Sequence, residues 1–117
     1  MKLKEVQQVL NAKVITATPD WEEMEVKSAC GCDLMSDVLA FVKNQALLLT
    51  GLVNPQVIRT AEMMDMKVIV FVRGKIPSDD MIALAKKLDM VIFATDTPLY
   101  SACGKLYTHG LSGRGEA

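Results

Sequence analysis

The chain has 117 residues and a formal net charge of -1, and 50% of its residues are hydrophobic. This length and composition are typical of one globular domain that buries a core without disulfides or metals. The balance of 13 basic and 14 acidic residues excludes the broad positive surface that nonspecific nucleic-acid binding requires. The apolar runs at 68–72 and 90–94 are far shorter than the roughly 20 residues that span a bilayer, so neither a nucleic-acid nor a membrane partner is expected.

The first eight residues contain neither an apolar stretch nor a small-residue cleavage site of the secretory kind. Cytoplasmic localisation is therefore the expectation. In that compartment the three cysteines, Cys30, Cys32 and Cys103, are expected to be reduced thiols and not a disulfide framework.

The first 45 residues predict a short helix near residues 6–10, then strands at 13–17 and 25–29 with a turn at 18–20 between them. A second helix is expected to open at Asp33, with this aspartate as its N-cap. The apolar side of that helix would consist of Leu34, Met35, Val38, Leu39 and Val42.

From residue 46 onward the chain repeats a short apolar strand, a polar turn and a helix-period segment, with strands at 46–50, 67–72 and 90–95. Continuous apolar strands are typical of a parallel sheet covered on both faces. The following helices carry apolar stripes at Val57, Ala61 and Met64; at Met81, Ala85 and Leu88; and at Leu99, Ala102 or Cys103, and Leu106. The fold class predicted is three-layer α/β, with a mostly parallel sheet built from repeated βα units.

The starts of these helices are marked by capping chemistry. Asn54-Pro55 and Thr97-Pro98 each place a side-chain acceptor before a proline that has no N–H to satisfy. The segment 77–80 offers a third cap, with acidic residues that suit the positive end of a helix dipole. Residues 111–117 are small, polar and interrupted by glycine, which predicts a flexible C-terminal tail after one domain at 1–110.

Several segments resemble the DRTGG domain family, and together they cover about residues 1–111. The resemblance is carried by the segments 32–40 (CDLMSDVLA), 49–57 (LTGLVNPQV), 70–75 (VFVRGK) and 102–107 (ACGKLY). It implies a small α/β regulatory module, similar to the N-terminal domain of HPr kinase and to segments beside CBS domains. Stand-alone modules of this kind resemble proteins encoded near iron-only hydrogenase components, which implies a redox system as one possible setting.

The Asp-Arg-Thr-Gly-Gly string that names the family is absent, and the nearest related segment is 50–55. The chain also contains no G-x-x-x-x-G-K-[ST] run, so it has no phosphate-binding loop of the kinase kind. A non-catalytic protein is therefore expected.

Few side chains suit catalysis. Nucleophilic catalysis usually needs a histidine base, and the single histidine, His109, sits where a cation would stabilise a helix C-terminus. Asp33 and Asp37 are spaced to share a helical face, as paired acid–base carboxylates would be, yet capping and solvation explain them without catalysis.

The pair Cys30 and Cys32 is a conceivable anchor for a soft metal or a cluster. Zinc and iron–sulfur sites usually take four ligands, however, and Cys103 is the only further cysteine in the chain. Buried small hydrophobes are the favoured interpretation, and no metal or other cofactor is predicted.

The strand ends give the most informative cluster. In open parallel sheets, ligands bind beyond the carboxyl ends of the strands. The ligand-binding residues predicted there are Thr50, Gly51, Asn54, Arg73, Gly74, Lys75, Thr95 and Thr97. Main-chain N–H groups and two cations favour an anion, while glycines 51 and 74 would let it approach the backbone.

Two functions follow from this sequence. The first is a non-catalytic regulatory module that binds a small anionic ligand, with a nucleotide as one candidate, and acts through a homodimer. The second is an interaction or assembly protein for a hydrogenase-associated redox system that binds a protein partner and no small ligand, with a cysteine-based metal or cluster site as a further variant.

Overall fold

The protein is described by a computed structural model that covers residues 1–41 and 46–113. Helices and strands alternate along most of this part of the chain. The elements are α1 (Leu3–Leu10), β1 (Lys13–Thr16), a single 3₁₀ turn (Trp21–Glu23), β2 (Ser28–Gly31), α2 (Met35–Phe41), β3 (Ala46–Thr50), α3 (Pro55–Met63), β4 (Val68–Phe71), α4 (Asp79–Lys87), β5 (Val91–Ala94) and α5 (Leu99–Thr108).

The strands of the described residues form one five-stranded sheet in the order β1-β5-β4-β3-β2. The four strands from β2 to β5 run parallel, and β1 joins the edge antiparallel to β5. Every residue of β3, β4 and β5 is buried. Continuous apolar runs are needed there because successive side chains point to opposite faces and both faces are covered.

The helices cover the two faces of the sheet. Leu47 and Leu49 of β3 pack on the face that holds α1 and α5, whereas Leu48 packs on the face that holds α2, α3 and α4. Each face has its own apolar cluster, so the domain consists of helix, sheet and helix layers. The three-layer, mostly parallel α/β fold predicted from the sequence is confirmed.

The strand expected at 25–29 was misplaced, because β2 spans Ser28–Gly31. The preceding residues pair with the N-terminus instead: the ammonium of Met1 donates to the Val26 carbonyl at 2.9 Å, and Val26 N donates back to the Met1 carbonyl at 3.0 Å. The residues that precede Ser28 therefore do not belong to the parallel ladder.

Two of the expected helix caps are confirmed. Asn54 Oδ1 accepts a hydrogen bond from Gln56 N at 2.8 Å, and Ser78 Oγ accepts one from Met81 N at 3.3 Å. Thr97 is not a cap, because α5 begins at Leu99, after Pro98, and Thr97 bonds to the side chain of Thr95.

Helix α2 begins at Met35, one position later than an N-cap at Asp33 requires. Met35 and Val38 are buried on the sheet, whereas Leu34 and Leu39 are 58% and 43% exposed. The outer part of the expected apolar side is therefore exposed to solvent, and Val42 lies outside the described residues.

Residues that follow α5 pack on the domain. Leu111 is buried, and the Ser112 carbonyl accepts a hydrogen bond from Ala29 N of β2 at 3.0 Å. Residues 114–117 lie outside the described part of the chain, so the domain boundary at 110 and the flexible tail stay predictions. Among the residues described, no helix combines the length and the apolar character that crossing a membrane requires.

Candidate functional site

The carboxyl end of β4 leads into a tight turn over residues 72–75. Lys75 N donates to the Val72 carbonyl at 3.1 Å, and both central residues have positive φ, 58° for Arg73 and 71° for Gly74. Positive φ at both central positions is the pattern of a type I′ turn. Glycine suits this backbone, whereas an arginine there costs on the order of 1 kcal/mol or more.

This turn is bound to the loop that follows β5. Arg73 N donates to the Thr97 carbonyl and Gly74 N donates to the Thr95 carbonyl, both at 3.0 Å. The buried hydroxyl of Thr95 in turn donates to the Leu10 carbonyl at 2.8 Å, at the end of α1. Backbone bonds therefore hold Gly74, Thr95 and Thr97 together, and they fix the base of the Arg73 side chain.

A carboxylate that was not among the predicted site residues joins the remaining strand ends. Asp33 Oδ1 accepts hydrogen bonds from Gly51 N at 2.7 Å and from Thr50 Oγ1 at 3.0 Å. Asp33 Oδ2 lies 3.4 Å from a terminal guanidinium nitrogen of Arg73. Thr50, Gly51 and Arg73 thus surround one carboxylate, and we call these three residues the oxyanion cradle.

The sequence did contain a signal for Asp33. This residue follows the carboxyl end of β2, so the strand-end rule that selected Thr50, Arg73 and Thr95 applies to it as well. The helical pattern that follows Asp33 predicts an N-cap there instead, and the strand predicted at 25–29 ends four residues before it. Correct placement of the edge strand would have put Asp33 in the candidate site.

The arginine side chain lies directly over Gly51. A methyl group on the α-carbon of Gly51 would overlap the guanidinium of Arg73. The guanidinium fills the space that a β-carbon at position 51 would take, and approach of an external ligand to the backbone there stays a prediction. A glycine is needed at position 51 because the guanidinium lies so close to its α-carbon. The backbone conformation does not require glycine there, because φ of Gly51 lies outside the left-handed region.

Gly51→Ala is expected to destabilise the protein by less than about 1 kcal/mol, because the displaced group is the far end of a flexible side chain. In an Arg73→Ala background the overlap disappears, and the same substitution is expected to stabilise by about 0.4 to 1 kcal/mol through the unfolded state. Urea unfolding of the wild type, of the two single variants and of the double variant measures this reversal of sign. A Gly51→Ala effect that is equal in both backgrounds would contradict the close approach.

The other predicted residues have separate roles in the structure. The Asn54 side chain caps α3, as described above, and Lys75 is exposed beside the turn.

The Arg73–Asp33 ion pair is about half exposed on each side, 48% and 45%, so by itself it contributes at most about 1 kcal/mol. The Arg73 side of the cradle is accordingly exposed to solvent, whereas Thr50 and Gly51 are buried.

A surface depression of about 190 Å³ adjoins the turn on the β1 side. It is lined by residues of the turn, of the end of β5 and of the start of β1: Asn11, Lys13, Gly74, Ile76, Ala94, Thr95 and Asp96. Lys13 contributes a cation, whereas the Asp96 carboxylate disfavours an anion on that side. Another depression, of about 300 Å³, lies at the opposite end of the sheet and contains none of the predicted residues.

The structure separates the cysteines over the two faces of the sheet. Cys30 packs against the α2 face, whereas Cys103 of α5 packs on the other face against Gly31, where an added β-carbon would overlap its Sγ. Burial raises the pKa of both the Cys30 and the Cys103 thiols, which disfavours the thiolate that binds metals. Within residues 1–41 and 46–113, no three His, Cys, Asp or Glu side chains form a group able to hold a metal ion.

His109 directly follows α5. Its Nδ1 lies 2.7 Å from the Lys105 carbonyl, and its backbone N donates to the same oxygen at 3.2 Å. The ring therefore contacts the carbonyl end of the helix, where an imidazolium is favourable.

Comparison with known proteins gives a structural likeness. The sequence matches no family model and no curated protein. The fold is similar to the crystal structure of the CBS and DRTGG domains of the regulatory region of Clostridium perfringens pyrophosphatase, complexed with the activator diadenosine tetraphosphate. The TM-score is 0.75 at 15% sequence identity, over 90% of this chain and 45% of that one. The chain thus spans less than half of that structure, and at this identity the likeness establishes that the two share a fold.

Proposed function

We propose that this protein is a non-catalytic regulatory domain that binds a small anionic ligand, of which a nucleotide is the favoured class, at the carboxyl ends of its parallel strands. Membership of the DRTGG family is part of the proposal. The likeness to a regulatory region complexed with a nucleotide activator supports it. That chain is more than twice as long as the matched part, so the position of its nucleotide is not transferred to this protein.

The observation that carries the proposal is the oxyanion cradle. A main-chain N–H, a hydroxyl and a guanidinium converge there on one carboxylate. This combination of donors also suits a phosphate, and arginine adds a planar fork for two of its oxygens. Lys75 adds a flexible charge beside the same turn.

A regulatory role fits the chemistry better than catalysis does. Catalysis by a nucleophile needs a base and an orienting group beside it. In the described part of the chain His109 is engaged with the end of α5, and the cysteine thiols of Cys30 and Cys103 are disfavoured as thiolates by burial. The domain would instead act through a homodimer, in which binding of the ligand to one copy of the chain affects the other copy. Light scattering at high micromolar concentration tests for that homodimer.

A thermal-shift screen with ATP, ADP and diadenosine tetraphosphate tests the proposal. A ligand that binds only the folded state raises the melting temperature by mass action, by an amount that grows with its concentration. We expect at least one of these nucleotides to raise it in this way. Absence of any shift up to millimolar nucleotide would contradict the ligand-binding function.

One observation favours the second candidate, an assembly protein for a redox system. Large apolar side chains are exposed on the helices, among them Tyr100 at 90% and Met63 at 68%. Exposed aromatic and methionine side chains are common in protein interfaces. A protein with no nucleotide response that co-purifies with a redox-enzyme component would support this function over the first.

A further inference from the structure

We propose that Asp33 is an internal ligand of the oxyanion cradle, and that an incoming phosphate group must displace its carboxylate to bind. This inference rests on the proposed function and adds the regulation of that site. In the structure described here the site is closed by the chain's own anion. The same donors would then hold either the Asp33 carboxylate or the external phosphate group.

The donors of the cradle are already in use. Gly51 N and the Thr50 hydroxyl both donate to Asp33 Oδ1, and the Arg73 guanidinium faces Oδ2. A phosphate oxygen prefers the same groups, namely main-chain N–H, hydroxyl and guanidinium. The Gly51 N–H and the Thr50 hydroxyl each have one hydrogen to donate, so each can serve one anion at a time. Two anions side by side in the cradle would also repel each other. External anion and Asp33 are therefore competitors.

The cradle is built to keep its donors pointed at an anion. Thr50 is fully buried at the end of β3, and its Oγ1 accepts a hydrogen bond from Leu52 N at 3.1 Å. That bond uses one lone pair of the hydroxyl oxygen, and the hydroxyl donates its hydrogen to Asp33 Oδ1 at 3.0 Å. Gly51 is also buried. The Thr50 and Gly51 donors thus stay in place when the carboxylate leaves.

Asp33, by contrast, borders the solvent. Its side chain is 45% exposed, and it lies in the short segment between β2 and α2. The backbone beside it is anchored by a 3.0 Å hydrogen bond from Cys32 N to the Leu49 carbonyl. Rotation of the side chain is enough to place the carboxylate in water without moving β2. Helix α2 begins at Met35, so this rotation takes place just before the first turn of a helix. Ligand binding at the cradle can therefore affect the helices on that face of the sheet.

The experiment titrates inorganic phosphate and pyrophosphate against wild-type protein and Asp33→Ala, with the backbone amide signals of Gly51 and Leu52 as the readout in NMR. We expect Asp33→Ala to bind pyrophosphate at least tenfold more tightly than wild type and to shift the Gly51 amide on binding. The gain should disappear in Asp33→Ala/Arg73→Ala. Asp33→Asn, which keeps the size and removes the charge, should show a smaller gain and serves if the alanine variant does not fold.

Asp37→Ala is the matched control. It removes one negative charge from the exposed side of helix α2, which follows Asp33, without touching the cradle. We expect it to change pyrophosphate affinity less than twofold. A gain in Asp33→Ala or Asp33→Asn no larger than in Asp37→Ala would overturn the inference, because general repulsion would explain it. Weaker binding than wild type would overturn it too, since Asp33 would then assist the ligand.

The two proposals fail in different ways. If Asp33→Ala binds pyrophosphate tightly and no nucleotide stabilises the wild-type protein, the internal-ligand inference stands and the regulatory function fails. If a nucleotide stabilises the wild type and removal of the Asp33 charge gives no gain, the function stands and the internal ligand is wrong.

Discussion

Phe93→Ala is expected to lower the free energy of unfolding by about 3 to 5 kcal/mol, which is typical for removal of a fully buried phenylalanine. Phe93 lies in β5, one of the interior strands of the sheet, and it is completely inaccessible to solvent. Its ring meets Trp21 edge to face, with the centroids 5.5 Å apart and an angle of 77° between the planes. The substitution leaves a cavity in the cluster beneath α1 and α5 and removes this aromatic contact.

Urea unfolding followed by circular dichroism measures the loss, and the emission of Trp21, the single tryptophan, reports the local change. Tyr100→Ala is the control, because Tyr100 is an aromatic residue that is 90% exposed. Its effect is expected to stay within about 0.5 kcal/mol. Similar losses for the two variants would mean that Phe93 is not a core residue.

Replacing both Arg73 and Lys75 with alanine is expected to weaken binding of the nucleotide found by thermal shift more than tenfold, or about 1.4 kcal/mol. The guanidinium and the ammonium are the cations nearest the turn after β4, and an anionic ligand loses both. The fold is expected to remain intact. Arginine and alanine both carry a β-carbon, so the strain of positive φ at position 73 is equal in the two proteins.

The control for this double variant is Lys86→Ala/Lys87→Ala. These lysines lie in the last turn of α4, at the opposite end of the sheet, so their removal changes net charge equally. If affinity falls to the same extent in both double variants, the effect is general electrostatics. Unchanged affinity in Arg73→Ala/Lys75→Ala would place the ligand elsewhere and favour the assembly function.

Most of the fold was predictable because burial in this sheet leaves a local signature. Strands β3, β4 and β5 are covered on both faces, so each appears in the sequence as an unbroken apolar run. Strand β2 lies at the edge and is only partly buried, with the burial spread over small residues. Its sequence therefore lacks that signature, and the predicted strand was placed three residues too early.

The candidate site was predictable only as a region. Strand ends can be inferred from the repeat, and this inference gave Thr50, Arg73 and Thr95. The contact of Asp33 with Gly51 and Arg73 joins three separate loops, and no local pattern encodes such a contact. The same holds for the guanidinium over Gly51, since a glycine after a strand is equally compatible with an ordinary turn.

The order of the strands bears on how the domain is completed during synthesis on the ribosome. Strand β1 is the first strand made, yet its partner β5 is the last, and the Ala29 N–H of edge strand β2 bonds to Ser112, near the end of the described chain. The β2–β3, β3–β4 and β4–β5 pairs join strands that are neighbours in the sequence, so their loops close at lower entropic cost. Nascent chains are therefore expected to pair the parallel strands in the order of their synthesis, while β1 and the outer edge of β2 remain open to contacts with other chains.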